Sequence, residues 1–152
     1  MLFRSGSRVL LPYLRARGIH SLDALVISHS DQDHSGGARS LWEGVRVGWL
    51  SSSLPADHPL LSGAPPSVTC LAGQRWEWDG VRFEVLHPTA DALSDRKRFA
   101  VRPNAISCTL KISYRERSVL LTGDIEAPQE RALLERARSA LRADVLLAPH
   151  HG

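Results

Sequence analysis

The chain has 152 residues, 43% hydrophobic and 6% aromatic, which is one domain's worth and enough to bury a core without a dense disulfide scaffold. No apolar run reaches the roughly 18 residues of a membrane span, since Arg15 and Arg17 cut short the stretch Val9–Leu14; a soluble piece is expected. Net charge is +3 with 17 of the 19 bases arginine, a fork that suits phosphate but that genome composition also favours, so a small dispersed charge does not by itself indicate nucleic acid.

Ser7–Gly18 reads as a helix, with Pro12 near its start, Leu10, Leu11 and Leu14 along one side, and Gly18 as its stop. Leu25–Ile27 is a short buried strand that runs into the polar cluster Ser28–His34. Gly36–Trp42 reads as a short helix, Val45–Leu50 as a strand, and the proline-rich stretch 51–67 as loop. A hairpin follows: Trp76 and Trp78, an Asp79-Gly80 turn, then Val81, Phe83 and Val85 alternating with charged residues. His87-Pro88 ends that strand, and the charged residues 89–103 read as loop.

Ile106, Cys108, Leu110 and Ile112 alternate with polar residues, as in a sheet with one wet face. Beyond a turn at Arg115–Arg117, the strand Val119–Leu121 delivers Gly123-Asp124. Pro128–Leu141 carries the strongest helical pattern, with Leu133, Leu134, Ala137 and Leu141 on its apolar face. A last strand, Val145–Leu147, runs into Pro149-His150-His151-Gly152. The class is α/β with substantial antiparallel pairing, and the polar clusters sit at strand ends. Cys70 and Cys108 form no C-x-x-C, so neither a zinc knuckle nor a redox motif is expected.

The segment Ser28-His29-Ser30-Asp31-Gln32-Asp33-His34-Ser35-Gly36-Gly37 places two imidazoles and two carboxylates within six residues, directly after a strand. Nitrogen and oxygen donors converge on one loop, with two glycines to let the backbone turn behind them. A solvated acidic turn explains one Asp-x-Asp, but not two bracketing histidines. Two further strands end in the same residue types, at Thr122-Gly123-Asp124 and at His150-His151. Alone, Asp124 reads equally as a cap for the next helix and the histidine pair as a surface accident. Three such strand ends in one short domain point to a metal site.

His29-x-Asp31-x-Asp33-His34 resembles the metallo-β-lactamase signature His-x-His-x-Asp-His, with Asp31 in place of the second histidine. That replacement, followed by Ser35-Gly36-Gly37 and the final Pro-His-His-Gly, resembles the C-terminal domain of the ComEC family, the competence channel proteins of bacterial DNA uptake. Leu11-Pro12-Tyr13-Leu14, Ala72-Gly73-Gln74, Asn104-x-x-Ser107 and the run at 120–126 fall in the same order. The resemblance implies an αββα sandwich, here a single partial domain over 1–152. Both flanks are expected to be missing, an incomplete fold that need not hold metal or turn over by itself.

By position, the resemblance implies His29 and Asp31 on a first divalent ion, Asp33 and His34 on a second, and Asp124 bridging. His150 or His151 completes the set. Asn104 and Ser107 stand where many members have a further histidine and are candidate substrate contacts. His58 and His87, each before a proline, are expected to be structural. Three Asp ligands make manganese as credible as zinc.

Asp33 is the candidate catalytic group, orienting water and moving its proton. The residues imply metal-dependent hydrolysis. The resemblance adds DNA as substrate, single-stranded by expectation, and a membrane-channel portion of the parent in a bacterial inner membrane. Arg96, Lys97, Arg98 and Arg102 favour a polyanion, although a solvated loop explains them equally. Two rival readings are a hydrolase of small esters or phosphoesters and a metal-free DNA-binding or structural module of the channel.

Overall fold

The apolar runs of the first half become three parallel strands. β1 (Ser21–Ile27) lies beside β2 (Arg46–Ser52), with Leu25 opposite Leu50 and Ile27 opposite Ser52, and β2 lies beside β3 (Ser67–Thr69). Parallel neighbours need a crossover. The β1–β2 crossover carries α2 (Gln32–Ser35) and α3 (Ala38–Gly44). The computed structural model describes residues 5–98 and 101–150, with backbone alone over 96–98, and it divides at Thr69/Cys70 into two units.

In the first unit a π turn (Gly6–Leu10) runs into α1 (Leu11–Ala16). Pro12 therefore lies inside the helical stretch rather than at its start. A proline has no N–H to give and its ring presses on the preceding turn, and the wider π turn provides that room. Gly18, at φ +68, ends the helix as expected. Leu11 packs with Leu41, Val45 and Val47, and a second cluster joins Ile27, Ala38, Leu50 and Leu54. The metal-type loop thus leaves the buried end of β1.

Gly36 and Gly37 do not serve the turn geometry that the sequence suggests. Their φ values, −65 and −90, suit any residue. What they permit is close approach: a Cβ on Gly37 would lie 2.7 Å from the Gly6 nitrogen, and one on Gly36 would lie 2.5 Å from the Gln32 carbonyl oxygen. Gly37→Ala is therefore expected to push the π turn outward and lower stability by about 1–3 kcal/mol, the range for overpacking, read as a drop in thermal midpoint.

The second unit is a five-stranded sheet in the order β4 (Arg75–Trp78), β5 (Val81–His87), β6 (Thr109–Tyr114), β7 (Arg117–Leu121) and β8 (Val145–Leu146). Its pairs are antiparallel except β7–β8, which is parallel. The β4–β5 hairpin turns on Asp79 and Gly80, both at positive φ, as a two-residue turn requires. Trp76 stacks flat on Phe83 with centroids 5.0 Å apart, and Trp78 meets that ring edge-on.

Two expectations about helices change. Residues read as charged loop form α4 (Ala90–Arg98), nucleated by the Thr89 hydroxyl accepting the Ala92 N–H at 3.2 Å. The strongest helix, α5 (Ala127–Ala137), ends before Leu141. The Lys111 ammonium donates to the carbonyls of Ala140 and Arg142, closing the segment just beyond it. Leu133 is buried with Leu86, Leu120 and Ile125, whereas Leu134 is 50% exposed and leaves the expected apolar face. At its N-terminus Glu126 and Gln129 form a reciprocal capping box.

Cys70 and Cys108 are joined as a disulfide, with Cα atoms 6.0 Å apart and both residues buried. It ties the first residue of this unit to the residue that leads into β6.

Candidate metal centre

The end of β1 is anchored before the functional loop begins. The Ser53 hydroxyl donates to the Ser28 carbonyl oxygen at 2.7 Å, and the Ser35 hydroxyl donates to that of Ser30 at 2.9 Å. Asp31 stands at the N-cap position of α2 in an extended conformation, and the N–H groups of His34 and Ser35 donate to its carbonyl. Its side chain makes no cap bond, so the carboxylate is turned to another use. Asp33 and His34 ride on that helical turn, where the sequence suggested loop.

This arrangement brings four of the expected residues together. The His29 and His34 rings lie 4.2 Å apart, tilted by 41°. The Nε2 of His29 faces an Asp31 carboxylate oxygen at 3.6 Å, and the Nε2 of His34 faces one of Asp33 at 3.7 Å. His29 is fully buried, while the Asp31 and Asp33 side chains are 47% and 44% exposed. A buried base beside two half-exposed acids gives a solvent-accessible set of nitrogen and oxygen donors. These residues fit a divalent metal by donor chemistry and by spacing.

The loop also holds a residue that the sequence left without a role. The Ser28 hydroxyl oxygen lies 3.1 Å from the Nδ1 of both His29 and His34. Its signal was position alone, one residue before the first histidine and six before the second.

In the second unit, Asp124 follows β7 and is buried. Gly123 turns the chain at φ +58. The Asp124 N–H then donates to the Ser107 hydroxyl at 3.1 Å, and the Thr109 hydroxyl donates to the Thr122 carbonyl at 3.1 Å. Ser107 is itself fully buried, and its hydroxyl steadies the Asp124 backbone. Asn104 lies in the short 3-10 turn Pro103–Ile106, with its carboxamide oxygen buried and no hydrogen-bond partner among the described residues. His150 is exposed in a turn at φ +49. His151, the alternative ligand, lies outside the described residues.

His58 and His87 have structural bonds. The Nδ1 of His58 accepts the Leu60 N–H at 3.2 Å, capping the turn Pro59–Leu61. His87 is buried, and its Nε2–H donates to the Ala105 carbonyl at 2.9 Å, steadying the turn that carries Asn104. Burial pushes the His87 imidazole below its ordinary value, against the opposing pull of that bond. The unfolded chain then binds a proton first as pH falls through about 6.5, and stability is full above that value and lost below it. The thermal midpoint is expected to decline from pH 7 to pH 5. His87→Gln should flatten that decline while lowering stability at pH 8 by about 1 kcal/mol.

The sequence matches the family described as Metallo-beta-lactamase superfamily over residues 2–152. The chain belongs to the metallo-beta-lactamase superfamily. Competence protein ComA of Neisseria gonorrhoeae is 35% identical over 143 residues, covering 94% of this chain and 18% of that protein. Uncharacterized protein YcaI of Escherichia coli is 31% identical over 148 residues, covering 97% and 18%. The chain thus spans about a fifth of the length of these relatives.

A solved metallo-beta-lactamase of Cronobacter sakazakii superposes with a TM-score of 0.58 at 17% identity, covering 98% of this chain and 64% of that one. The superfamily fold and the resemblance to ComEC-type competence proteins are thereby borne out, and the fold implies divalent-metal binding. Among the described residues, no helix is long and apolar enough to cross a membrane.

Proposed function

We propose that this chain is the hydrolytic part of a competence-type protein and cleaves phosphodiester bonds of single-stranded DNA during DNA uptake. The observation that carries the reading is the loop after β1, where two imidazoles each face a carboxylate. The gonococcal relative, named as a competence protein, supports the setting. In this reading the parent protein resides in a bacterial inner membrane, where this chain is joined to a channel portion.

His29 and Asp31 would hold one divalent ion and Asp33 and His34 a second. Asp124 and His150 or His151 would be the further candidate ligands. Zinc and manganese both suit these donors. When bound, the ions supply Lewis acidity to phosphoryl oxygens and to water. Two divalent charges also more than offset the three carboxylates, so the loaded site attracts phosphate.

The chain's own contribution is proton movement and orientation. Asp33, nearly half exposed, accepts a proton from the attacking water as its oxygen bonds to phosphorus. It returns the proton to the leaving oxygen as the P–O bond breaks. Asn104 supplies a substrate-side contact. Ser107 holds the Asp124 backbone in place.

The test is cleavage of single-stranded DNA with manganese or zinc. The expected result is metal-dependent cleavage that a chelator stops. A chain that loads metal, leaves DNA intact and hydrolyses a small ester would overturn the nuclease reading in favour of the small-ester one.

A further inference from the structure

We infer that Ser28 is a positioning residue whose single hydroxyl oxygen accepts the Nδ1–H of both His29 and His34, so that both rings turn an Nε2 lone pair towards metal. This rests on the reading of the loop as a metal site. A neutral imidazole carries one N–H, and whichever nitrogen holds it cannot ligate. A serine hydroxyl has two lone pairs and one proton, so it can accept from two rings but donate to only one. Were it to donate to either Nδ1, that ring would carry its proton on Nε2, the atom that faces the loop's carboxylates.

Both Nδ1 atoms lie 3.1 Å from the same oxygen, and both Nε2 atoms lie on the side of Asp31 and Asp33. The hydroxyl is well placed to fix two rings because its own backbone is fixed. The buried Ser53 donates to the Ser28 carbonyl at 2.7 Å. That bond does not involve the Ser28 side chain, so Ser28→Ala keeps the anchor while removing the shared acceptor. By position, the two histidines belong to different metal ions, and one hydroxyl therefore couples the orientation of one ion's ligand to that of the other.

The experiment uses the full chain and zinc, with affinity measured by competition against a chromophoric chelator and the two Nδ1–H protons followed by NMR. Ser28→Ala is expected to weaken zinc binding about 10–100-fold, the range for residues that orient ligands. Both Nδ1–H signals should shift and exchange faster with water, and Ser28→Thr should restore affinity and signals. Unchanged affinity, or movement of only one ring's signal, overturns the shared role. If Ser28→Ala does not fold, the unsubstituted zinc-loaded chain decides: two hydrogen-bonded Nδ1–H signals support the role and fewer than two overturn it. An unsubstituted chain that takes up no zinc or manganese overturns the metal-centre reading itself.

Discussion

His34→Ala is expected to weaken divalent-metal binding by at least about 100-fold, beyond the upper end for residues that only orient ligands, while leaving the metal-free chain folded. The two halves of that expectation have different origins. His34 sits on the short helix α2 with its side chain 25% exposed, so truncation opens no large cavity in a core. What is lost is one of the two imidazoles of the loop, the softer half of its donor chemistry.

Metal titration read by thermal unfolding separates the two halves. Metal that binds only the folded chain stabilises it by about 2.7 kcal/mol at a hundred times Kd, and that gain should vanish in the variant. The metal-free midpoints of the two proteins should stay close. His58→Ala is the matched control, because its ring caps the turn Pro59–Leu61, and it should leave the metal-dependent gain intact. Equal metal gains in His34→Ala and the unsubstituted chain would mean the loop does not hold the metal.

The site was legible where chemistry and local sequence coincide. His29, Asp31, Asp33 and His34 lie within one loop at a strand end, so their convergence needs only the short turn that the loop makes. The Asp79-Gly80 hairpin was equally local, since two positive-φ residues between alternating strands admit few other structures. α4 was not legible as a helix because Leu93 is the one large apolar residue in Ala90–Arg98, and the Thr89 cap marks its start. The part played by Gly37 escaped because it depends on how near Gly6 comes, a distance that no local pattern encodes. Ser28 escaped for a related reason: a hydroxyl beside a histidine is unremarkable until a second ring six residues on folds back to the same oxygen.

The disulfide between Cys70 and Cys108 was illegible for the same cause, a sequence separation of 38 with no motif at either end. It carries the largest stability prediction. In the chain-entropy picture, a closed loop of that length stabilises the folded state by about 4 kcal/mol, an upper figure because unfolded chains keep some structure. For a chain of this size each kcal/mol moves the midpoint by about 2–4 °C, so reduction is expected to lower it by about 8–16 °C.

Thermal scans with and without a phosphine reductant, alongside a count of free thiols, read this directly. A Cys70→Ala, Cys108→Ala double variant should match the reduced chain to within the small effect of the lost sulfurs. The effect should also be local. Cys108 directly follows Ser107, which accepts the Asp124 N–H, and precedes Thr109, whose hydroxyl donates to the Thr122 carbonyl. Loosening that strand end should therefore raise hydrogen exchange at Asp124 and at its neighbours first, while the β4–β5 hairpin keeps its protection. A midpoint that does not move on complete reduction would mean that the hydrogen bonds of Ser107 and Thr109 hold this end of β6 without the covalent tie.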